Sequence, residues 1–421
     1  MSRTSWVRKV TVDVTPLRAS RGFRMLWIGE LFSMAGRHIL TVAVPLQVFL
    51  LTESSLAVGM VSLAQVVPLL AGSLAGGVVA DAVDRRRLIL WTQVILALTS
   101  VGLALNAGMP RPALWPIVVL AVIQAGVSGI DSPARRAALP RIVGKTHLAA
   151  ALTLQKILSN LGKMVGPALG GVLIASLDLA AAYWVHAATF LAALAAVAAL
   201  PPLPPEGGGT KIGFASVREG LAYLRGNRAL QSMFVIDLNA MVFGLPRALF
   251  PAIGTTVLGG DAAVVGLLYS APGAGALAGA LTSGWIGGVR RQGRAVIVSV
   301  AVWGAAIVGF GLSRSLLPAL AFLALAGAAD MVSSVFRTTV LHLGAPDALR
   351  GRLASVHKAA VAGGPRIGDA EAGLVASLTN PAISVISGGL ACMLGVVVVA
   401  RRYPEMDRVV VDGDELRLVP S

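Results

Sequence analysis

Long apolar stretches separated by short polar ones recur along the whole chain, and most are longer than the core helix of a soluble domain needs. Runs of about 18 or more mostly apolar residues are long enough to cross a bilayer as helices. Read against Gly, Pro and charged breakers, the pattern predicts about twelve spans. The first six cover 25–51, 57–80, 88–105, 114–130, 148–176 and 180–200. The second six cover 230–257, 264–286, 295–312, 317–340, 353–378 and 382–400.

The polar stretches are not equivalent. Arg85, Arg86 and Arg87 follow span two, and Arg135, Arg136, Arg141 and Lys145 follow span four. Lys211, Arg218, Arg225 and Arg228 follow span six, and Arg290, Arg291 and Arg294 follow span eight. Arg337, Arg350 and Arg352 follow or close span ten, and Arg401 and Arg402 follow span twelve. The intervening loops hold little more than Arg111 and Arg314. Cytoplasmic loops retain Lys and Arg, so the even-numbered loops and both termini are expected on the cytoplasmic side of the cell membrane. An error of one span would scramble this alternation.

Composition agrees. Of 421 residues, 56% are hydrophobic and 13% charged, about half the charged share of a soluble domain. The net charge of +15 sits in alternate loops rather than on one amphipathic face. It therefore sets topology and faces anionic lipid at the inner leaflet, not nucleic acid. Cys392 is the single cysteine, so no internal disulfide or cysteine metal cluster can form. Arg3, Arg8, Lys9, Arg18 and Arg21 precede the first span, which is too long for a signal-peptide core, and an uncleaved tail is expected.

The reading is an all-α membrane protein of two six-helix bundles. Residues 1–22 form an N-terminal tail, 23–200 one bundle, 201–228 a linker, 229–402 a second bundle and 403–421 a C-terminal tail. Within the linker, Pro201-Pro-Leu-Pro-Pro-Glu-Gly-Gly-Gly209 cannot continue a helix. Phe214, Val217, Leu221 and Leu224 then recur at helical spacing, either as a surface helix on the inner leaflet or as chance spacing in an ordinary linker. Gly166-Pro167-Ala-Leu-Gly170 in span five is echoed by Gly364-Pro365-Arg-Ile-Gly368 in span eleven, the fifth helix of each bundle. Such repeats are common in secondary transporters.

Charges inside spans are expensive, and each is a functional candidate. Glu30 and Arg37 share a face of span one about 10 Å apart along the axis, too far for a direct bridge, so each is expected to meet a partner on another helix or to line a cavity. Asp237 and Arg247 lie in span seven. Asp131 with Arg135, and Asp330 with Arg337, suit a gate network near helix ends. Arg366, Asp369 and Glu371 crowd span eleven: either that helix is broken and wetted after Pro365, or the three form a coupling site. Arg37, Arg247 and Arg366, with Glu30, are the candidates for substrate contact and would suit anionic cargo. Asp369, Glu371 and Asp237 are the candidates for carrying a proton. Lys163 falls within span five. His38, His186 and His357 stand among apolar or small residues and read as packed rather than as relays. No zinc-binding helix, nucleotide loop or catalytic elbow is present, so neither enzyme chemistry nor a cofactor or metal is expected.

Three features carry a family resemblance. Gly77-Val-Val-Ala-Asp81-Ala-Val-Asp84-Arg85-Arg86 resembles the loop between helices two and three of the major facilitator superfamily. There the acid pairs with a neighbouring helix as a conformational latch; Asp84 departs from the family's usual glycine. Gly162-Lys-Met-Val-Gly166-Pro167-Ala-Leu-Gly170-Gly171 is similar to the fifth-helix motif of proton-coupled antiporters, where close glycines let helix backbones approach. Phe23-Arg-Met-Leu-Trp, Val42-Ala-Val-Pro45, Pro246-Arg247-Ala-Leu-Phe-Pro251, Leu281-Thr-Ser-Gly284 and Gly351-Arg352-Leu353 look like the enterobactin-exporter branch. The resemblance implies a monomeric, proton-coupled exporter of a siderophore-like or drug-like small molecule that works by alternating access. Many relatives carry an acid where this chain has Gly36-Arg37, so no coupling role transfers there. The same branch includes drug-efflux relatives. Uptake, or a membrane-embedded enzyme or sensor on a borrowed fold, stands as the alternative.

Overall fold

The computed structural model of the chain describes residues 13–204, 214–412 and 415–418. It is almost entirely helical, and ten helices are long and apolar enough to cross a membrane. The chain is thus a multi-pass membrane protein in which helices satisfy their own backbone groups, as hydrocarbon requires. Arg3, Arg8, Lys9, the 205–209 stretch and Lys211 lie outside the described residues.

The N-terminal set comprises α1 (Thr15–Ala19), α2 (Arg21–Thr52), α3 (Ser55–Ala64), α4 (Val66–Ala82), α5 (Arg85–Ala107), α6 (Leu114–Ser176) and α7 (Leu179–Ala198). After α8 (Phe214–Gly226), the C-terminal set comprises α9 (Arg228–Phe243), α10 (Phe250–Ala252), α11 (Ala262–Leu281), α12 (Gln292–Leu312), α13 (Leu316–Gly344), α14 (Asp347–Leu378) and α15 (Pro381–Arg402). One buried apolar cluster gathers the C-terminal helices around residues such as Phe250, Phe310 and Phe336. Two others gather the N-terminal helices around Tyr183 and Phe23.

Three elements differ from the hydropathy reading. The loop expected between spans four and five is helical, and α6 runs for 63 residues with one break at Gly144 (φ 69°, ψ 171°). A helix of that length would extend about 95 Å at 1.5 Å per residue, roughly three bilayer cores. The break at Gly144, a conformation that suits glycine, is what turns it. Span seven, expected to be continuous, ends as an α-helix at Phe243. Gly244 and Pro246 interrupt it, and Arg247–Leu249, Phe250–Ala252 and Ile253–Val257 follow as 3-10, α and π turns. Span eleven is the reverse case, since α14 passes through Pro365 without a break. The break after Pro365, part of one of the two alternatives for that span, is therefore absent. α14 is absent from the ten apolar helices because of its charges, not its 32-residue length.

The two sets meet along two seams, α3 against α14 and the second half of α6 against α11. In the second seam Gly171 and Gly266 face each other, and a Cβ on either would come within 2.8 Å of the other's Cα. Only glycine permits that approach. Gly162 and Gly166 abut Met34 and His38, and Gly170 abuts Ile39, all on α2. The fifth-helix motif thus joins two helices at once, with Pro167 and Gly171 on the α11 side.

The arginine-rich end is fastened by the segments that follow each set. Asp84 caps α5 by accepting from the Arg87 N–H at 3.0 Å, and its other oxygen accepts from the Leu203 N–H at 2.8 Å. The Arg85 N–H donates to the Leu203 carbonyl at 3.0 Å, Arg86 donates to the Ala198 carbonyl at 2.7 Å, and Arg141 donates to the Pro204 carbonyl. In the C-terminal set the tail does the corresponding work. Strands β1 (Val409–Asp412) and β2 (Glu415–Leu418) form an antiparallel hairpin, and the Val411 N–H donates to the Arg290 carbonyl at 3.0 Å. Met406 and Val409 are fully buried there. Between the sets, α8 packs on the start of α14: Glu219 pairs with Arg352, Gly220 touches Arg352 and Val356, and Leu224 is buried. The side chains of Phe214 and Val217 lie outside the described residues.

Asp84 should therefore matter more to stability than the motif acid Asp81, which reaches only Arg85 at 4.0 Å and is 41% exposed. Asp84→Ala is expected to destabilise by about 1–2 kcal/mol. Asp81→Ala should change stability by less than about 0.5 kcal/mol. Equilibrium unfolding of the purified protein in detergent measures both.

Candidate functional site

A cavity of about 410 Å³ lies where the two sets meet, a size in the ordinary range for a small-molecule site. α2, α3 and α6 form one wall; the broken segment at Arg247, α11 and α14 form the other. The sets close on each other beyond the cavity, at the end opposite the arginine-rich loops. There Gly59 lies against the Asp369 carbonyl, Gly373 against that of Ser55, and Gly171 against that of Ala262.

Three guanidinium groups line the cavity, those of Arg37, Arg247 and Arg366, together with the carboxylate of Asp369. Arg247 is presented by the interruption of span seven. Tyr269 donates to the Arg247 carbonyl at 2.9 Å, and Trp303 donates to the Gly244 carbonyl at 2.7 Å, so side chains replace the lost helical bonds. Asp369 is 7% exposed. Its Oδ1 accepts from the Ala248 N–H at 3.0 Å, and its Oδ2 accepts from the Ser62 hydroxyl at 2.6 Å. One carboxylate thus ties α14, the broken segment and α3 of the opposite set. Arg366 donates to the Ala362 carbonyl of its own helix at 2.7 Å.

Glu30 is not among the cavity residues. It stands behind Arg37, whose Nη2 lies 2.5 Å from Glu30 Oε1. This corrects the expectation that the two are too far apart for a direct bridge: side chains lean toward the helix N-terminus, so Arg37 reaches back two turns along its own face. The second Glu30 oxygen pairs with Arg135 Nη1 at 3.2 Å, and Arg135 Nε pairs with Asp131 at 2.6 Å. Asp131 also accepts from Thr92 at 2.7 Å and from Gln93 at 3.2 Å, and Gln93 accepts from Ser33 at 3.0 Å. The network starts at the cavity and runs down through α2, α6 and α5.

The C-terminal set repeats the core of this arrangement. Asp237 on α9 pairs with Arg337 on α13 at 2.8 Å, and both side chains are 3% exposed. Asp330 lies 3.6 Å from the same guanidinium, Ser333 accepts from it at 2.9 Å, and His357 Nδ1 is 3.6 Å from Asp237. Asp237 sits within this ion-pair cluster and away from the cavity wall. Glu371 is half-buried and is not a cavity residue. Gly77 has open space where a Cβ would stand, while Gly76 makes the close contact, with Ile130. Lys163 places its backbone against Gly273, and His186 is buried edge-on to Phe190 with ring centroids 4.8 Å apart. Ser62, Tyr269 and Gln124 belong to the cavity but went unmarked in the sequence, because an isolated hydroxyl or amide inside a span carries no local signal.

The sequence profile of transmembrane secretion effectors matches residues 11–415. An enterobactin exporter from Citrobacter koseri (strain ATCC BAA-895 / CDC 4225-83 / SGSC4696) is 30% identical over 394 residues, covering 94% of each chain. One from Shigella boydii serotype 18 (strain CDC 3083-94 / BS512) is 29% identical over 394 residues, again covering 94% of each. Among solved structures, a peptide transporter superposes with a TM-score of 0.75 at 11% identity, over 92% of this chain and 95% of that one. The nucleoside transporter NupG superposes with a TM-score of 0.71 at 13% identity, over 91% of this chain and 99% of that one. At such low identity these two speak to the fold alone.

Removing one member of a buried pair strands the other. Arg337→Leu should destabilise by about 3–5 kcal/mol, and adding Asp237→Asn should recover much of the loss. Cys392, fully buried and the single cysteine, reports the unfolding through a thiol-reactive dye.

Proposed function

Because the chain belongs to the transmembrane secretion effector family of the major facilitator superfamily, we propose that it is a secondary active exporter of a siderophore or similar medium-sized amphiphile. It is a transporter and not an enzyme, and it works as a monomer. Counting α6 as two passes about Gly144 and adding α14 to the ten apolar helices gives twelve spans, six in each set. The arginine-rich loops and both termini face the cytoplasm and its anionic lipid. The observation that carries this reading is the cavity itself, set between two helix sets that seal against each other on one side of it. With that side outermost, the structure corresponds to an inward-facing state, and rocking of the sets would expose the cavity to the other side.

Asp369 is the coupling carboxylate of this scheme. It is buried, faces the cavity and bonds across the outer seam to Ser62, so a proton on it would alter both the cavity's charge and the seam. The conformational gates are the Glu30–Arg135–Asp131 and Asp237–Arg337–Asp330 clusters, with the Asp81 loop.

A strain lacking the gene should retain siderophore inside the cell, measured by mass spectrometry, with unchanged drug susceptibility. Normal secretion with lowered drug tolerance would instead assign multidrug efflux to the same machinery. In everted vesicles supplied with the strain's own purified siderophore, Asp369→Asn should abolish cargo-dependent proton movement. Glu371→Gln should retain it.

A further inference from the structure

The cavity is electrically one-sided. Its N-terminal wall is apolar over much of its extent, through residues such as Leu40, Val44, Val48 and Val61, and its polar groups, such as Gln65 and Gln124, are neutral apart from one. The one charged residue of that wall is Arg37, and its charge is already met by Glu30 at 2.5 Å. Glu30 is held in turn by Arg135. The C-terminal wall presents Arg247 and Arg366 against a single carboxylate, Asp369. Neither arginine forms an ion pair within 4 Å among the described residues: Arg366 donates to a backbone carbonyl, and both Asp369 oxygens accept from Ser62 and Ala248. Two arginines beside one acid leave a net positive charge on this wall, where Arg247 is exposed and Arg366 half-buried, and a bound anion would meet it with charge-assisted hydrogen bonds.

We propose that the cavity takes an amphiphilic anion in one orientation, its charged end on Arg247 and Arg366 and its apolar body on the aliphatic N-terminal wall. Arg37 is a structural cation kept from the cargo by Glu30. This narrows the expectation that all three arginines meet cargo. Arg247 and Arg366 become the specificity-determining residues, and a cation or neutral analogue of the same shape binds poorly. The assignment deepens the transport reading by giving the cargo a charge and a direction in the same cavity.

The test is direct binding to the purified full-length protein in a neutral detergent, read as a rise in unfolding temperature through Cys392. Three probes of one shape are compared: 2-naphthoate, 2-naphthamide and 2-naphthylmethylammonium. The anion should stabilise at concentrations about tenfold below the other two. Arg247→Gln and Arg366→Gln should each raise the concentration needed by about tenfold, and Arg37→Gln by less than about threefold. Arg247→Lys and Arg366→Lys retain the charge and should retain the preference for the anion, which separates loss of recognition from loss of folding. Equal response to the three probes, preference for the ammonium, or dependence on Arg37 with indifference to Arg247 and Arg366 would each overturn the proposal. So would stabilisation by none of them, an outcome that leaves export itself to be judged by the secretion assay.

Discussion

A guanidinium buried between membrane helices is stabilised by a carboxylate on a neighbouring helix, and the protein makes this arrangement twice in the same way. Glu30 on the first long helix holds Arg135 at 3.2 Å, and Asp237 on α9 holds Arg337 at 2.8 Å. Each pair crosses from the opening span of its set to the fourth, and each arginine has a second acid nearby on its own helix. Such pairs link helices at fixed positions along their lengths, and removing one partner leaves the other charge uncompensated. The cavity inherits its geometry from them. Arg37 lies where it does because Glu30 is anchored from below, and α14 is positioned beside α9, whose Asp237 also faces His357.

Much of the fold was legible because hydrocarbon imposes length and charge rules that few sequences can satisfy by accident. Alternation of arginine-rich and arginine-poor loops separated the spans, and the glycines from 162 to 171 announced a close helix crossing. The places where reading failed share a cause: hydropathy averages over a window and does not register backbone direction. Span seven stays apolar through Gly244, Pro246 and Pro251, so its break was hidden, whereas α14 absorbs Pro365 and stays helical. The Glu30–Arg37 bridge was missed by measuring along the helix axis and neglecting the reach of a long side chain. Pairings such as Asp237 with Arg337, far away along the chain, have no local signature. The paired strands Val409–Asp412 and Glu415–Leu418 were likewise invisible, being four residues each in a stretch that reads as a tail.

The broken span shows how a helix defect can be turned to use. Once Gly244 and Pro246 release the backbone, the next turns can place Arg247 in the cavity and offer the Ala248 N–H to Asp369. Trp303 and Tyr269 accommodate the freed carbonyls. An unbroken helix would keep that N–H for itself, and Asp369 would lose one of its two partners. The seam between the sets and the shape of the cavity therefore share a single carboxylate.

The fastenings at the arginine-rich end give the two sets a matching finish. After its sixth span the N-terminal set sends residue 203 back to the turn at 84–85, and the C-terminal set sends residue 411 back to the equivalent turn at 290. Span order, the Gly-Pro helix, the buried acid–arginine pair and the returning segment all recur together. Linker and tail thus do one mechanical job in two places, each bringing the chain back from the last span of its set to clamp the turn after the second.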